Sequence, residues 1–104
     1  MSKLLTQNKE FIQLLLKTSK DQSTALLQTT TADQVSVLSE IVLNLLHIPL
    51  GKKPKYLINK NKKILERIAD KRTSKEIKRK LLIKNYKHIL QLLWSVRIQL
   101  QELI

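Results

Sequence analysis

Residues that break helices are scarce in this chain. Its 104 residues include one glycine and two prolines, Gly51, Pro49 and Pro54. Because glycine and proline punctuate turns, so small a number favours long helices over a sheet of short strands. A chain of this length suits one domain with a modest core. The prediction is an all-α fold: a small bundle of about four to five helices with a long amphipathic C-terminal helix.

Apolar periodicity and capping residues divide the first half of the chain into helices. A helix is predicted over about residues 6–17, because four apolar side chains form a stripe there: Phe11, Ile12, Leu15 and Leu16. Ser19 with Gln22, and Thr31 with Gln34, have the spacing of helix-starting capping boxes. The second box opens a strongly amphipathic helix that is predicted to run to about residue 46 and to end before Pro49.

The next helix carries lysines on one side and apolar residues on the other. Pro54 suits its first position, where the missing N–H costs nothing. An arc of roughly 140° on the helical wheel holds the predicted buried stripe: Leu57, Ile58, Ile64, Leu65, Ile68 and Ala69. Thr73 then precedes Glu76 with capping-box spacing, which predicts a further helix.

The end of the chain repeats apolar residues in alternating steps of four and three. These heptad positions, called the seam below, are Leu82, Tyr86, Ile89, Leu93, Val96, Leu100 and Leu103. The pattern fits one helix from residue 75, or two that separate near Asn85. A stripe of this kind packs inside a bundle or pairs two chains, so both a core and a homodimer interface remain open.

The net charge of +12 lies entirely in residues 52–87, the basic segment. Its three acids are Glu66, Asp70 and Glu76. Its fifteen bases are Lys52, Lys53, Lys55, Lys60, Lys62, Lys63, Arg67, Lys71, Arg72, Lys75, Lys78, Arg79, Lys80, Lys84 and Lys87. We therefore expect a single helical domain over residues 1–104, with a near-neutral half at 1–50, the basic segment, and the heptad-like stretch at 86–104. Uncompensated charges repel one another, so their clustering indicates a function.

Candidate catalytic and metal sites are hard to assemble from these residues. Without cysteine there is no thiolate ligand or nucleophile, and His47 and His88 do not form a metal-ligand pattern. One glycine cannot build a phosphate-cradling loop. We expect no enzyme activity, no metal and no cofactor. Trp94 and Tyr86 are predicted to pack in the core, whereas Tyr56 is the aromatic expected to be exposed.

The basic segment favours nucleic acid as the partner. Lysine neutralises phosphate as a mobile point charge, whereas arginine reads guanine with a rigid fork. Sixteen of the twenty bases are lysine, so the prediction is backbone-directed, sequence-nonspecific binding, with duplex DNA favoured over RNA. The alternatives are a helical adaptor that oligomerises through the seam, or a basic amphipathic binder of membrane surfaces. The expected location is intracellular, in a nucleus or a virion, without secretion.

A stretch from Leu26 to Lys84 resembles a family of small lysine-rich proteins from Maverick/Polinton-type DNA elements and their adintovirus relatives. The matching positions are Leu26, Leu27, Gln34, Leu38, Glu40, Asn44, Leu45, Pro49, Leu50, Ala69, Asp70, Lys71, Ser74, Leu81 and Leu82. The resemblance implies a virion core or DNA-packaging protein of a virus-like element. Family members continue into an apolar tail with glycine and proline, but residues 85–104 here contain neither.

Overall fold

All regular structure in the described part of the chain is helical. The computed structural model describes residues 3–17 and 19–103, and the side chains of these residues except 4, 5, 20 and 101–103. The helices are α1 (Lys3–Gln7), α2 (Lys9–Lys17), α3 (Lys20–Gln28), α4 (Ala32–His47), α5 (Lys52–Lys60), α6 (Lys62–Ala69), α7 (Lys75–Lys84), α8 (Tyr86–Ser95) and α9 (Arg97–Leu103). The all-α fold class is confirmed, but the described residues form nine helices in place of the predicted four to five.

Two of the predicted helix starts are confirmed atom by atom. The Ser19 hydroxyl accepts a hydrogen bond from the Gln22 N–H at 3.3 Å, which caps α3. Thr31 and Gln34 form a reciprocal capping box at the start of α4. The third start is one residue later than predicted. Ser74, and not Thr73, caps α7, because the Ser74 hydroxyl accepts a hydrogen bond from the Ile77 N–H at 3.3 Å. The Thr73 N–H donates to the Asp70 carbonyl in the preceding turn.

Asparagine interrupts the second half of the chain at two equivalent points. Asn61 separates α5 from α6, and Asn85 separates α7 from α8, with nearly identical backbone angles (φ −115°, ψ 23° and φ −112°, ψ 26°). In each case the backbone N–H and the side-chain Nδ2 both donate to the carbonyl four residues earlier, that of Leu57 or Leu81. An asparagine amide that competes for this carbonyl loosens the helix locally. Of the two arrangements that the sequence left open for this stretch, the one with a break near Asn85 is observed, and the break at Asn61 is additional.

The C-terminal stretch therefore differs from a single long helix. A further interruption falls at Val96, whose N–H donates to Leu93 at 3.3 Å, one residue short of the α-helical partner. Residues 75–103 form three consecutive helices, α7 to α9. The predicted long amphipathic C-terminal helix is not observed. The described apolar residues of its heptad nevertheless all pack toward the core.

The hydrophobic core lies between α4 and the helices around it. Helix α4 packs against α6 and α7, while α8 packs against α3 and α5. The most completely buried side chains, each 0% exposed, include Leu27, Val37, Leu38, Ile68, Leu82 and Val96. The predicted stripes of α2 and of α5–α6 face this core, with Ile58 and Ile64 partly buried at its margin. The molecule measures 31 × 28 × 27 Å.

Five of the seven seam residues are buried in the chain's own core: Leu82, Ile89, Leu93, Val96 and Leu100. Tyr86 is partly buried against the same cluster, and the side chain of Leu103 lies outside the described residues. The seam is thus accounted for by packing within one chain. Trp94 also packs against the core, and its indole Nε1 donates to the Leu15 carbonyl at 3.2 Å.

The connection between α4 and α5 contains Pro49 and the glycine, and Pro54 follows in the first turn of α5. Gly51 is the N-cap of α5, so Pro54 occupies the third helical position instead of the predicted first. It still lies in the first turn, where N–H groups lack helical acceptors. In the described residues, no single helix meets the length and composition expected of a membrane span; α4 and α5 meet them only together, across a 114° bend.

Candidate nucleic-acid interface

The basic segment displays its charges on ordered helices. Fourteen of its fifteen bases are exposed, on α5 to α8 and in the turn before α7. Helix α5 packs against α6 and α8, and α6 packs against α7, so these carriers are neighbours in space. At physiological salt the Debye length is roughly 8 Å, so each exposed base attracts mainly the phosphates that come close to it.

The acids of the segment neutralise few of these bases. Each forms one ion pair: Lys62 with Glu66 at 4.0 Å, Arg72 with Asp70 at 3.0 Å, and Lys80 with Glu76 at 3.6 Å. Among the described side chains, eleven exposed bases have no carboxylate partner: Lys52, Lys53, Lys55, Lys60, Lys63, Arg67, Lys71, Lys75, Arg79, Lys84 and Lys87. These eleven are called the unpaired bases below.

The strongest of the three pairs closes the turn between α6 and α7. The Arg72 Nε and Nη2 atoms donate to the two carboxylate oxygens of Asp70, and the Arg72 backbone N–H donates to Oδ1 at 2.9 Å. The hydrogen bond from the Arg72 side chain, followed by that from its backbone, holds the pKa of Asp70 below its usual range. Asp70 therefore remains ionised and fully engaged with Arg72, and the turn presents Lys71 outward.

The prediction that Lys78 lies on the binding surface is wrong. It is only 7% exposed, because it lies one turn before Leu82 on the inward side of α7. Its Nζ donates to Ser39 Oγ at 2.7 Å, and this hydroxyl donates in turn to the Ile68 carbonyl at 2.7 Å. The chain of bonds ties α7, α4 and the end of α6 together. Ile68 lies in the last turn of α6, where carbonyls lack intrahelical donors.

Burial lowers the pKa of Lys78, because desolvation disfavours the ammonium form. The charge of Asp70 opposes this shift, and that of Lys75 adds to it. Asp70 forms no ion pair with Lys78, and both of its oxygens accept hydrogen bonds from Arg72. Lys78 is thus a largely buried ammonium without a carboxylate partner among the described side chains.

A serine next to a lysine of lowered pKa could serve as a catalytic nucleophile, with the lysine as the base that removes its proton. The hydrogen bonds run in the opposite sense, since Lys78 donates to Ser39 and the serine proton points to the Ile68 carbonyl. The pair acts as a structural link between helices.

Tyr56, His47 and His88 are the other residues that the sequence singles out. Tyr56 is 63% exposed on α5 beside the unpaired bases, as predicted. His47 ends α4 at the surface, and His88 is partly buried on α8. In the ranges that the structure describes, His, Asp and Glu side chains form no group of three able to hold a metal ion.

Comparison of the chain with protein-family models, with curated proteins and with solved structures finds no significant match.

Proposed function

We propose that this protein binds the phosphate backbone of nucleic acid without reading sequence, and that duplex DNA is its preferred ligand. The observation that carries the proposal is the set of eleven unpaired bases on packed helices of the basic segment. Each contact with a phosphate releases a condensed counterion, and this release supplies most of the free energy of nonspecific binding.

The types of exposed residue support backbone contacts over base recognition. Nine of the unpaired bases are lysines, and only Arg67 and Arg79 carry the planar fork that pairs with guanine. One exposed aromatic, Tyr56, is too little for the stacking platforms that hold single strands. An ordered basic surface with few aromatics suits a duplex.

The packing of the seam argues against the adaptor alternative. Its described side chains are buried or partly buried inside the chain, so the heptad leaves no apolar stripe for a partner helix. The apolar sides of α5 and α6 are likewise committed to the core, which argues against their insertion into a membrane surface. The resemblance to proteins of Maverick/Polinton-type elements supports a more specific role, the packaging of DNA in a virus-like core.

The test is the affinity for a labelled duplex across a salt series. If about four phosphates are contacted, the plot of log K against log salt has a slope near −3.6. The affinity then falls about 100-fold between roughly 50 and 200 mM salt. Shuffling the duplex sequence leaves the affinity unchanged. Absence of binding to a duplex at 50 mM salt overturns the proposal, and a flat salt dependence overturns its backbone mechanism.

A further inference from the structure

A cleft lies between α4 and the turn that joins α6 to α7. Its volume is about 460 Å³, within the range of small-ligand sites. Leu43 and Ala69 line its apolar part. Three lysines line it as well, Lys71 from the turn and Lys75 and Lys78 from α7, and we call it the lysine cleft.

Lys78 forms the base of the lysine cleft. It is 7% exposed and makes one hydrogen bond, to Ser39, although an ammonium group has three N–H donors. A buried charge normally has a counterion, because desolvation of an unpaired ion is strongly unfavourable. Within the described side chains no carboxylate forms an ion pair with Lys78. An ammonium with further N–H donors and no carboxylate partner among the described side chains is suited to an anion in the cleft.

The rim of the cleft indicates the charge of that anion. Lys71 and Lys75 are exposed and belong to the unpaired bases, whereas Glu40 contributes one carboxylate. Three lysines and one carboxylate give a net charge of +2 around the cleft. A phosphate monoester carries about −1.5 to −2 at pH 7, which matches this charge more closely than a backbone diester of −1 does.

We propose that the lysine cleft binds a phosphate monoester, with Lys78 donating from its base and with Lys71 and Lys75 at its rim. The remaining volume, lined in part by Leu43 and Ala69, accommodates the group that carries the phosphate. The monoester belongs either to a free phosphorylated molecule or to the 5′ end of a nucleic acid. The site does not depend on the proposed backbone binding, because its donors lie in one cleft and not across the basic segment.

The first experiment is a titration of the ¹⁵N-labelled protein with inorganic phosphate, followed by amide NMR. We expect saturable shifts at residues 39–40 and 71–78, with a Kd near or below about 1 mM, equivalent to roughly −4 kcal/mol. The Lys78→Met variant weakens binding at least about tenfold. Shifts spread evenly over all exposed lysines, or unchanged binding by Lys78→Met, overturn the proposal.

Lys84→Met is the matched control, because Lys84 is exposed on the same helix and lies outside the cleft. It makes the same chemical change and leaves phosphate binding at its wild-type value. If Lys78→Met does not fold, the double variant Lys71→Met/Lys75→Met takes its place, since both side chains are exposed. Loss of phosphate binding in Lys84→Met equal to that in the cleft variants contradicts the proposal.

The second experiment identifies the source of the monoester. Two duplexes of one sequence, with a 5′-phosphate or a 5′-hydroxyl end, are compared in binding to the wild type and to Lys78→Met. A several-fold preference for the phosphorylated end that disappears in Lys78→Met assigns the cleft to nucleic-acid ends. Equal affinity for both ends, with phosphate binding retained, assigns it to a free phosphorylated molecule. If no duplex binds at all, the proposed function is wrong, whereas the proposal that the lysine cleft binds a phosphate monoester still stands on the phosphate titration.

Discussion

The ammonium nitrogen of Lys78 lies 2.7 Å from the hydroxyl oxygen of Ser39, across 39 positions of sequence. The two side chains have opposite energetic roles, although they share one bond. Ser39 satisfies the Ile68 carbonyl at the end of α6, which otherwise has no helical donor. Lys78 places a charge where water is largely excluded.

Replacement of the two residues is therefore expected to give unequal results. Lys78→Met removes a desolvated charge and keeps an unbranched apolar chain, so the free energy of unfolding stays within about 1 kcal/mol of wild type or rises. Ser39→Ala leaves a buried carbonyl without its donor and costs about 1–3 kcal/mol. Urea unfolding of both variants measures this. A loss in Lys78→Met as large as that in Ser39→Ala would show that the lysine itself stabilises the fold.

The lowered pKa of Lys78 predicts a dependence of stability on alkaline pH. Below the folded pKa, both folded and unfolded states are protonated, and the full cost of burying the ammonium is present. Between that pKa and the ordinary value of 10.5, the unfolded chain binds more protons, so stability rises with pH. The difference in the free energy of unfolding between wild type and Lys78→Met is thus expected to shift in favour of wild type as the pH is raised toward 10.5. A constant difference between the two unfolding curves would contradict this.

The contact between Trp94 and Leu15 predicts a coupled effect on stability. The indole Nε1 of Trp94 and the hydroxyl of Ser23 both donate to the Leu15 carbonyl, at 3.2 and 3.0 Å. Trp94→Phe removes one donor and is expected to cost about 0.5–1.5 kcal/mol from hydrogen bonding, besides the loss of ring volume. Because the carbonyl then keeps Ser23 as its one side-chain donor among the described residues, the double variant Trp94→Phe/Ser23→Ala should lose more than the sum of the single variants. Strict additivity in denaturant unfolding would refute this sharing.

Burial of the seam predicts a monomer whose heptad residues are needed for folding. Val96 is fully buried, whereas Ile98, two residues later on α9, is 64% exposed. Val96→Asp buries an unpaired carboxylate and is expected to cost about 3 kcal/mol or more, while Ile98→Asp is expected to stay near wild type. Light scattering of the wild type should give the mass of one chain. A dimer that Ile98→Asp dissociates would place an interface on the exposed side of α9.

Helical periodicity predicts most of the core because it depends on local spacing alone. The stripes beginning at Phe11 and Leu57 are buried as expected, and hydroxyl residues at Ser19 and Thr31 cap the helices they precede. Breaks at single residues are harder to predict. In the sequence Asn61 looks like any polar residue on the exposed side of a helix. The helix break there becomes evident from the hydrogen bond between its side chain and the Leu57 carbonyl, which the sequence does not show.

For the candidate sites, too, local spacing in the sequence predicts some contacts and not others. The i,i+4 spacing of Lys62 with Glu66, and of Glu76 with Lys80, already indicates which bases are paired. The charge pattern groups Lys78 with the surface bases, although its position one turn before Leu82 indicates a buried side. Its contact with Ser39 depends on how α4 packs against α7, and no local pattern encodes that.

The most direct test of the central claim compares two triple variants that remove equal charge. Lys60→Gln/Lys63→Gln/Arg67→Gln removes unpaired bases of α5 and α6, and Lys3→Gln/Lys9→Gln/Lys17→Gln removes exposed lysines of α1 and α2. The measurement is the slope of log K against log salt for duplex DNA. We expect the first variant to make the slope less negative by about 2 to 3, and the second variant to leave it near the wild-type value. The reason is that counterion release counts only the phosphates that are contacted. Equal slopes for the two variants would show that net charge, and not the basic segment, governs binding.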